Sequence, residues 1–95
     1  MKKIDKEIYE ALEKKYGREH QVTVCIEELS ELTKVLAKFL RNNATHPMAV
    51  IEEIADVEIC LAQMKIFFDM RNGVNFFKDF KMKRLQKFYI EGDLK

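Results

Sequence analysis

The chain has 95 residues, 47% of them hydrophobic and 35% charged, and a net charge of +1. That is one domain with enough apolar material for a core, so a disordered chain is excluded, and the near-neutral total singles out neither a polyanion nor a membrane surface as partner. A core of this size is modest, and self-association is a natural way to extend it.

Only three glycines and one proline interrupt the sequence, no strand-like alternation lasts, and helical periodicity governs the pattern. The opening MKKIDKEIYE is basic at first but lacks the apolar stretch of a signal peptide. A first helix is predicted from about Ile4 to Tyr16, with Ile4, Ile8, Ala11 and Leu12 on one face and Gly17 as its C-terminal cap. A second runs from about Glu19 to Arg41 and is broken by Asn42, Asn43 and Ala44. Thr45 or His46 caps a third, with Pro47 at its first position, where a missing N–H costs nothing. This helix reaches about Met70, Asn72-Gly73 marks a turn, and a fourth helix covers about Val74 to Ile90.

Four helices with short connections predict an all-α, four-helix bundle type of domain spanning residues 1–95. The apolar residues of the second helix, among them Cys25, Ile26, Leu29, Leu36 and Phe39, cover more than one narrow stripe. Such a face predicts burial against a second subunit as well, in a homodimer or homotetramer. The aromatic set Phe67, Phe68, Phe76, Phe77, Phe80 and Phe88 reads as core packing. Cys25 and Cys60 form no C-x-x-C unit and read as buried, reduced thiols. No apolar run approaches membrane-spanning length, so a cytoplasmic protein with no membrane partner is expected.

Charge is unevenly distributed. Cys25 to Gln63 holds seven acids against three Lys or Arg, whereas Asn75 to Tyr89 holds five Lys or Arg against one Asp. A helix advances about 100° per residue, so positions i, i+4, i+7 and i+11 share a line. Val24, Glu28, Glu31 and Val35 fall on one such line, and Ala49, Glu53, Asp56 and Cys60 on another. Each helix thus carries an acid pair inside a stripe that is apolar at both ends. Glu27 and Glu52 lie about 100° around from these lines, and Glu27 leans towards Lys34 and Lys38 on the solvated side.

The short connection makes the second and third helices antiparallel neighbours, so the pairs can face each other. Four clustered carboxylates must take up protons or a cation. Oxygen donors without His in the stripes favour Mg²⁺ or Mn²⁺ over zinc. A single E-E-x-x-E is usually a solvated face, and lysines from another helix could neutralise the stripes instead. On the fourth helix Phe77, Lys81, Arg84 and Phe88 repeat the template with cations. These would pair with the acids or hold phosphate oxygens opposite a metal. The segment NFFKDFKMKRLQKF also has the basic–aromatic interleaving of nucleic-acid binders, but its aromatics keep helical core spacing, and nucleic acid is disfavoured as a partner.

Glu27-Glu28-Leu29-Ser30-Glu31 followed by Glu53-Ile54-Ala55-Asp56 resembles the E-E-x-x-E, E-x-x-D signature of the all-α nucleoside triphosphate pyrophosphohydrolases. That family includes MazG-like proteins, dimeric dUTPases, dCTP pyrophosphatases and phosphoribosyl-ATP pyrophosphatases. The lead-in KYGREHQVTVCIEELSEL and the ending KMKRLQKF are similar to the family's flanks, so the resemblance covers about Tyr16 to Phe88. It implies an oligomeric helical bundle that hydrolyses an NTP or dNTP to the monophosphate and pyrophosphate with Mg²⁺. By the same resemblance the metal ligands are Glu28, Glu31, Glu53 and Asp56, the four acids on the stripes. Lys81 and Arg84 correspond to the family's phosphate-binding cations, with Lys83 or Lys87 as substitutes. Gln21 is a candidate for base recognition. Glu27, or one of the ligands, would serve as general base for a water attacking the α phosphorus. The rival expectation is a non-catalytic helical dimer that binds metal or nucleotide as a regulatory or structural module.

Overall fold

The structure is a computed structural model that describes residues 2–42, 45–69 and 71–92. It is all-α, with four helices and no strand among the described residues: α1 (Lys3–Tyr16), α2 (Arg18–Asn42), α3 (Pro47–Phe68) and α4 (Gly73–Ile90). No helix among them is long and apolar enough to cross a membrane.

The helix ends follow from local chemistry. Gly17 sits at φ 90°, a conformation that favours glycine, and its N–H closes α1 on the Glu13 carbonyl at 2.8 Å. Of the two residues expected to cap α3, His46 does so: its Nδ1 accepts the Met48 N–H at 3.1 Å, with Pro47 following at the first turn. α3 ends at Phe68 rather than near Met70, because Asp69 leaves helical geometry and its Oδ1 accepts the Val74 N–H at 3.1 Å. One aspartate therefore closes one helix and caps the next. Asn43, Ala44 and Met70, which entered the predicted boundaries, lie outside the described residues.

α2 and α3 pack antiparallel along their length. Cys25 meets Cys60 at one level, and Leu36 lies with Val50 and Ile51 towards the connection. Among the described residues the buried positions are Cys25, Val57, Cys60 and Phe67, with two glutamines, Gln21 and Gln63. α1 is tied to this pair by Gln63 Nε2, which donates to the Tyr9 carbonyl at 3.3 Å. Of the expected Ile4–Ile8–Ala11–Leu12 stripe only Leu12 is partly covered; Ile4, Ile8 and Ala11 are exposed, and Tyr9 shares the covered side with Leu12. The rotation lets the Tyr9 backbone reach Gln63 and leaves Ile4 and Ile8 exposed.

α4 departs most from the expected bundle. Every residue from Asn75 to Gly92 is exposed. The helix leans away from α3 and leaves an apolar groove of about 720 Å³ lined by Leu61, Met64, Phe68, Val74 and Phe77. Of the aromatics read as core, Phe67 alone is buried; Phe68, Phe76, Phe77, Phe80 and Phe88 are exposed. The shape agrees. The radius of gyration is 16.9 Å, against about 12 Å for a compact chain of this length. The accessible surface is 8066 Å², against about 5,700 Å² for a compact monomer of this mass.

Candidate functional site

The acid residues converge where α2 and α3 cross the middle of their interface. Glu28 from α2 and Glu53 and Asp56 from α3 each place a carboxylate oxygen within 4.8 Å of the other two. Glu28 and Glu53 are half-buried and Asp56 is exposed. The i, i+3 spacing of Glu53 and Asp56 sets both on the side of α3 that faces α2, and the antiparallel packing brings Glu28 to the same level.

Glu53 stands at the centre. Its Oε2 is shut off from solvent and has no hydrogen-bond partner. Its carboxyl is raised above the ordinary value, first by loss of hydration and then by the negative charges of Asp56, Glu31, Glu28 and Glu52. Glu31 is therefore electrostatically part of the cluster, although it is exposed and outside the close triad. Glu27 is exposed on the outer side of α2 and is not among the charges acting on Glu53.

The basic candidates are placed elsewhere. Lys81 lines the α3–α4 groove beside Leu61 and Lys65. Lys83 and Arg84 are exposed on α4. None of the three is among the charges acting on Glu53, and none forms an ion pair among the described residues. Gln21 is buried, with its Nε2 3.1 Å from His20 Nδ1, at the end of α2 that packs near α1.

Cys25 and Cys60, read from the sequence as buried thiols, are buried and free; Gln63 and Arg18 were not singled out. The thiols of Cys25 and Cys60 lie one turn from Glu28 and Asp56, and Cys60 Sγ donates to the Val57 carbonyl at 3.3 Å. Burial first, then the neighbouring Cys25 thiol and the Glu28 charge, push the Cys60 thiol up to about 12. Gln63 is buried in the α1–α3 contact. Arg18 lays its guanidinium over Phe67, 4.8 Å from the ring centroid, while its Nε donates to Glu13 at 2.7 Å. Nothing in the sequence marked Arg18.

A group of hard oxygen donors, one of them desolvated and unpaired, suits a hard divalent cation. Among the described residues no other set of three or more acidic, His or Cys side chains converges in this way. Comparisons of the chain with protein-family models, with curated proteins and with solved structures find no match.

Proposed function

We propose that the protein is a Mg²⁺-dependent nucleotide pyrophosphohydrolase, converting an NTP or dNTP to the monophosphate and pyrophosphate. The observation that carries this reading is the convergence of Glu28, Glu53 and Asp56 around a carboxylate oxygen that has no partner of its own. The two acid motifs, in the order and spacing in which they resemble the all-α pyrophosphohydrolases, supply the reaction class.

Glu28, Glu53 and Asp56, with Glu31 at the edge, would hold Mg²⁺ or Mn²⁺. When bound, the ion supplies charge neutralisation for phosphate oxygens and acidifies a coordinated water. The protein's own side chains supply the rest. The carboxylates fix where the phosphates lie, because an anion cannot approach four negative groups except through the cation. Glu27, exposed on α2 next to Glu28 in the chain, or one of the ligands, is the candidate to take the proton from the attacking water. Lys81 and Arg84, with Lys83 as neighbour, are the candidates to offset phosphate charge, and Gln21 remains the candidate for contact with the base. The active form is a homodimer or homotetramer.

Purified protein is incubated with Mg²⁺ and a panel of NTPs and dNTPs, and pyrophosphate is measured. Release that is lost in Glu31→Ala and Asp56→Ala supports the reading. Absence of release from every nucleotide, or release untouched by both substitutions, overturns it.

One observation favours a second reading, a helical module that binds metal or nucleotide without turnover: no α4 cation lies among the charges acting on Glu53. Calorimetry with Mg²⁺ and a non-hydrolysable nucleotide separates the two, since binding without pyrophosphate release selects the module.

A further inference from the structure

We propose that the groove between α3 and α4 binds an amphipathic anion: a medium-chain fatty carboxylate, its tail along the groove and its headgroup at the lysines on the edge. This goes beyond the proposed function and does not rest on the nucleotide chemistry.

The groove follows from residue spacing. Leu61, Met64 and Phe68 stand at i, i+3 and i+7 on α3, and Val74, Phe77 and Lys81 keep the same spacing on α4. Each set therefore lies on one side of its helix, and all six line the groove. Lys65 and Lys78 line it too, one turn after Leu61 and Val74.

The turn between the helices holds the two walls apart. Arg71 and Asn72 both take left-handed backbone, at φ 61° and 57°, a conformation that is costly away from glycine. Asp69 Oδ1 accepts the Val74 N–H at 3.1 Å, and a Cβ at Gly73 would lie 3.3 Å from the same oxygen. A connection specified at so many neighbouring positions sets the angle of α4, so the groove is built into the fold. Its volume of about 720 Å³ falls within the roughly 300–1,000 Å³ of small-molecule sites.

The lining names the class of ligand. Three lysines, Lys65, Lys78 and Lys81, stand against one acid, Asp69, and that acid is engaged by the Val74 N–H. None of the three lysines forms an ion pair among the described residues. The edge therefore favours negative charge and the interior favours an apolar body. A nucleobase would need donors and acceptors along the wall, and no polar side chain other than these four lines it. A hydrocarbon tail needs none. Leu61 to Phe68 and Val74 to Lys81 each span seven residues, about 10 Å along the helix, which suits an extended chain of medium length.

The test is calorimetric titration of decanoate into the full chain, below its micelle concentration, in EDTA and without nucleotide. Methyl NMR of methionine-labelled protein locates the ligand. Binding is expected, weaker at high salt, with a shift of the Met64 methyl and none of Met48, which lies about 24 Å earlier on α3. Decyltrimethylammonium, the same tail with the opposite charge, is expected not to bind. Lys65→Glu with Lys78→Glu should weaken decanoate binding on the order of tenfold, and Phe77→Ser should do the same through the apolar wall. These three positions are exposed, and circular dichroism verifies that each variant is still helical. Absence of binding, equal binding of the cation, affinity unchanged in both variants, or shifts of all the methionine methyls alike overturns the site. Binding to anionic phospholipid vesicles without binding of decanoate also overturns it, in favour of a membrane surface. Lys81, the candidate for phosphate charge, is left unchanged, and pyrophosphate release is scored separately, so the two readings fail independently.

Discussion

Glu53 on α3 faces Glu28 across the α2–α3 interface, with a carboxylate oxygen of each within 4.8 Å of the other and Asp56 equally close. Glu53 Oε2 has no hydrogen-bond partner. Two helices that pack on cysteines and valine thus meet, at mid-length, on like charges. Without a counterion this contact opposes the packing around it.

That repulsion gives a pH dependence with a definite sign. The Glu53 carboxyl is raised in the folded protein, by desolvation first and the neighbouring acids next, above an ordinary value of 4.5. A raised folded value means the folded state holds the proton more tightly. The stabilisation is complete below the ordinary value and is lost as pH rises through the folded value. Metal-free protein is therefore expected to melt at a higher temperature in mildly acidic buffer than at neutral pH. Glu53→Gln is expected to flatten that dependence. Thermal melts of both proteins across this range, in EDTA, make the comparison.

Divalent cations are expected to act in the opposite sense to EDTA. A ligand at a hundred times its dissociation constant stabilises the folded state by about 2.7 kcal/mol, which for a domain of this size raises the melting temperature by on the order of 10 °C. Mg²⁺ or Mn²⁺ should produce a shift of this kind in the wild type and little in Asp56→Asn. Differential scanning calorimetry with and without the metal reads it directly.

The thiols offer a check on the packing beside the site. Cys60 is buried, donates to the Val57 carbonyl and is pushed up to about 12, so almost none of it is thiolate near pH 8. A disulfide reagent is expected to label neither cysteine rapidly in the folded protein and both rapidly in urea. Fast native labelling would mean that α2 and α3 open at this level.

Gln63 and Phe67 hold the same face of α3 against α1 and Arg18. Phe67→Ala is expected to cost about 3–5 kcal/mol, as removal of a buried aromatic does. Gln63→Ala is expected to cost about 1 kcal/mol, chiefly the Tyr9 hydrogen bond. Urea melts give both values. Hydrogen exchange adds a location, since loss of Gln63 should speed exchange in α1 first.

The helices and the acid triad were legible because both depend on short-range spacing. Apolar periodicity and the Gly17, Pro47 and Asn72-Gly73 signals located four helices to within two or three residues. The stripe rule put Glu28, Glu53 and Asp56 on facing sides. What stayed illegible depends on tertiary geometry. Periodicity cannot say which side of α1 is covered: of the stripe Ile4, Ile8, Ala11 and Leu12 the fold covers only Leu12 in part, and uses Tyr9 beside it. It also reads Phe76, Phe77 and Phe80 as core, because an apolar helix looks the same whether its own chain covers it or another does. The stripe rule placed Lys81 and Arg84 on one line correctly, but the angle of α4 to α3, set at the Asp69–Gly73 turn, decides which acids they can reach.

Hydrolysis in heavy-oxygen water with Mg²⁺, followed by mass spectrometry of the products, tests the central claim most directly. Attack at the α phosphorus predicts pyrophosphate without label and a monophosphate carrying one labelled oxygen, from at least one nucleotide, and none of it from Asp56→Asn. No product from any NTP or dNTP, or an Asp56→Asn variant as active as the wild type, would contradict it.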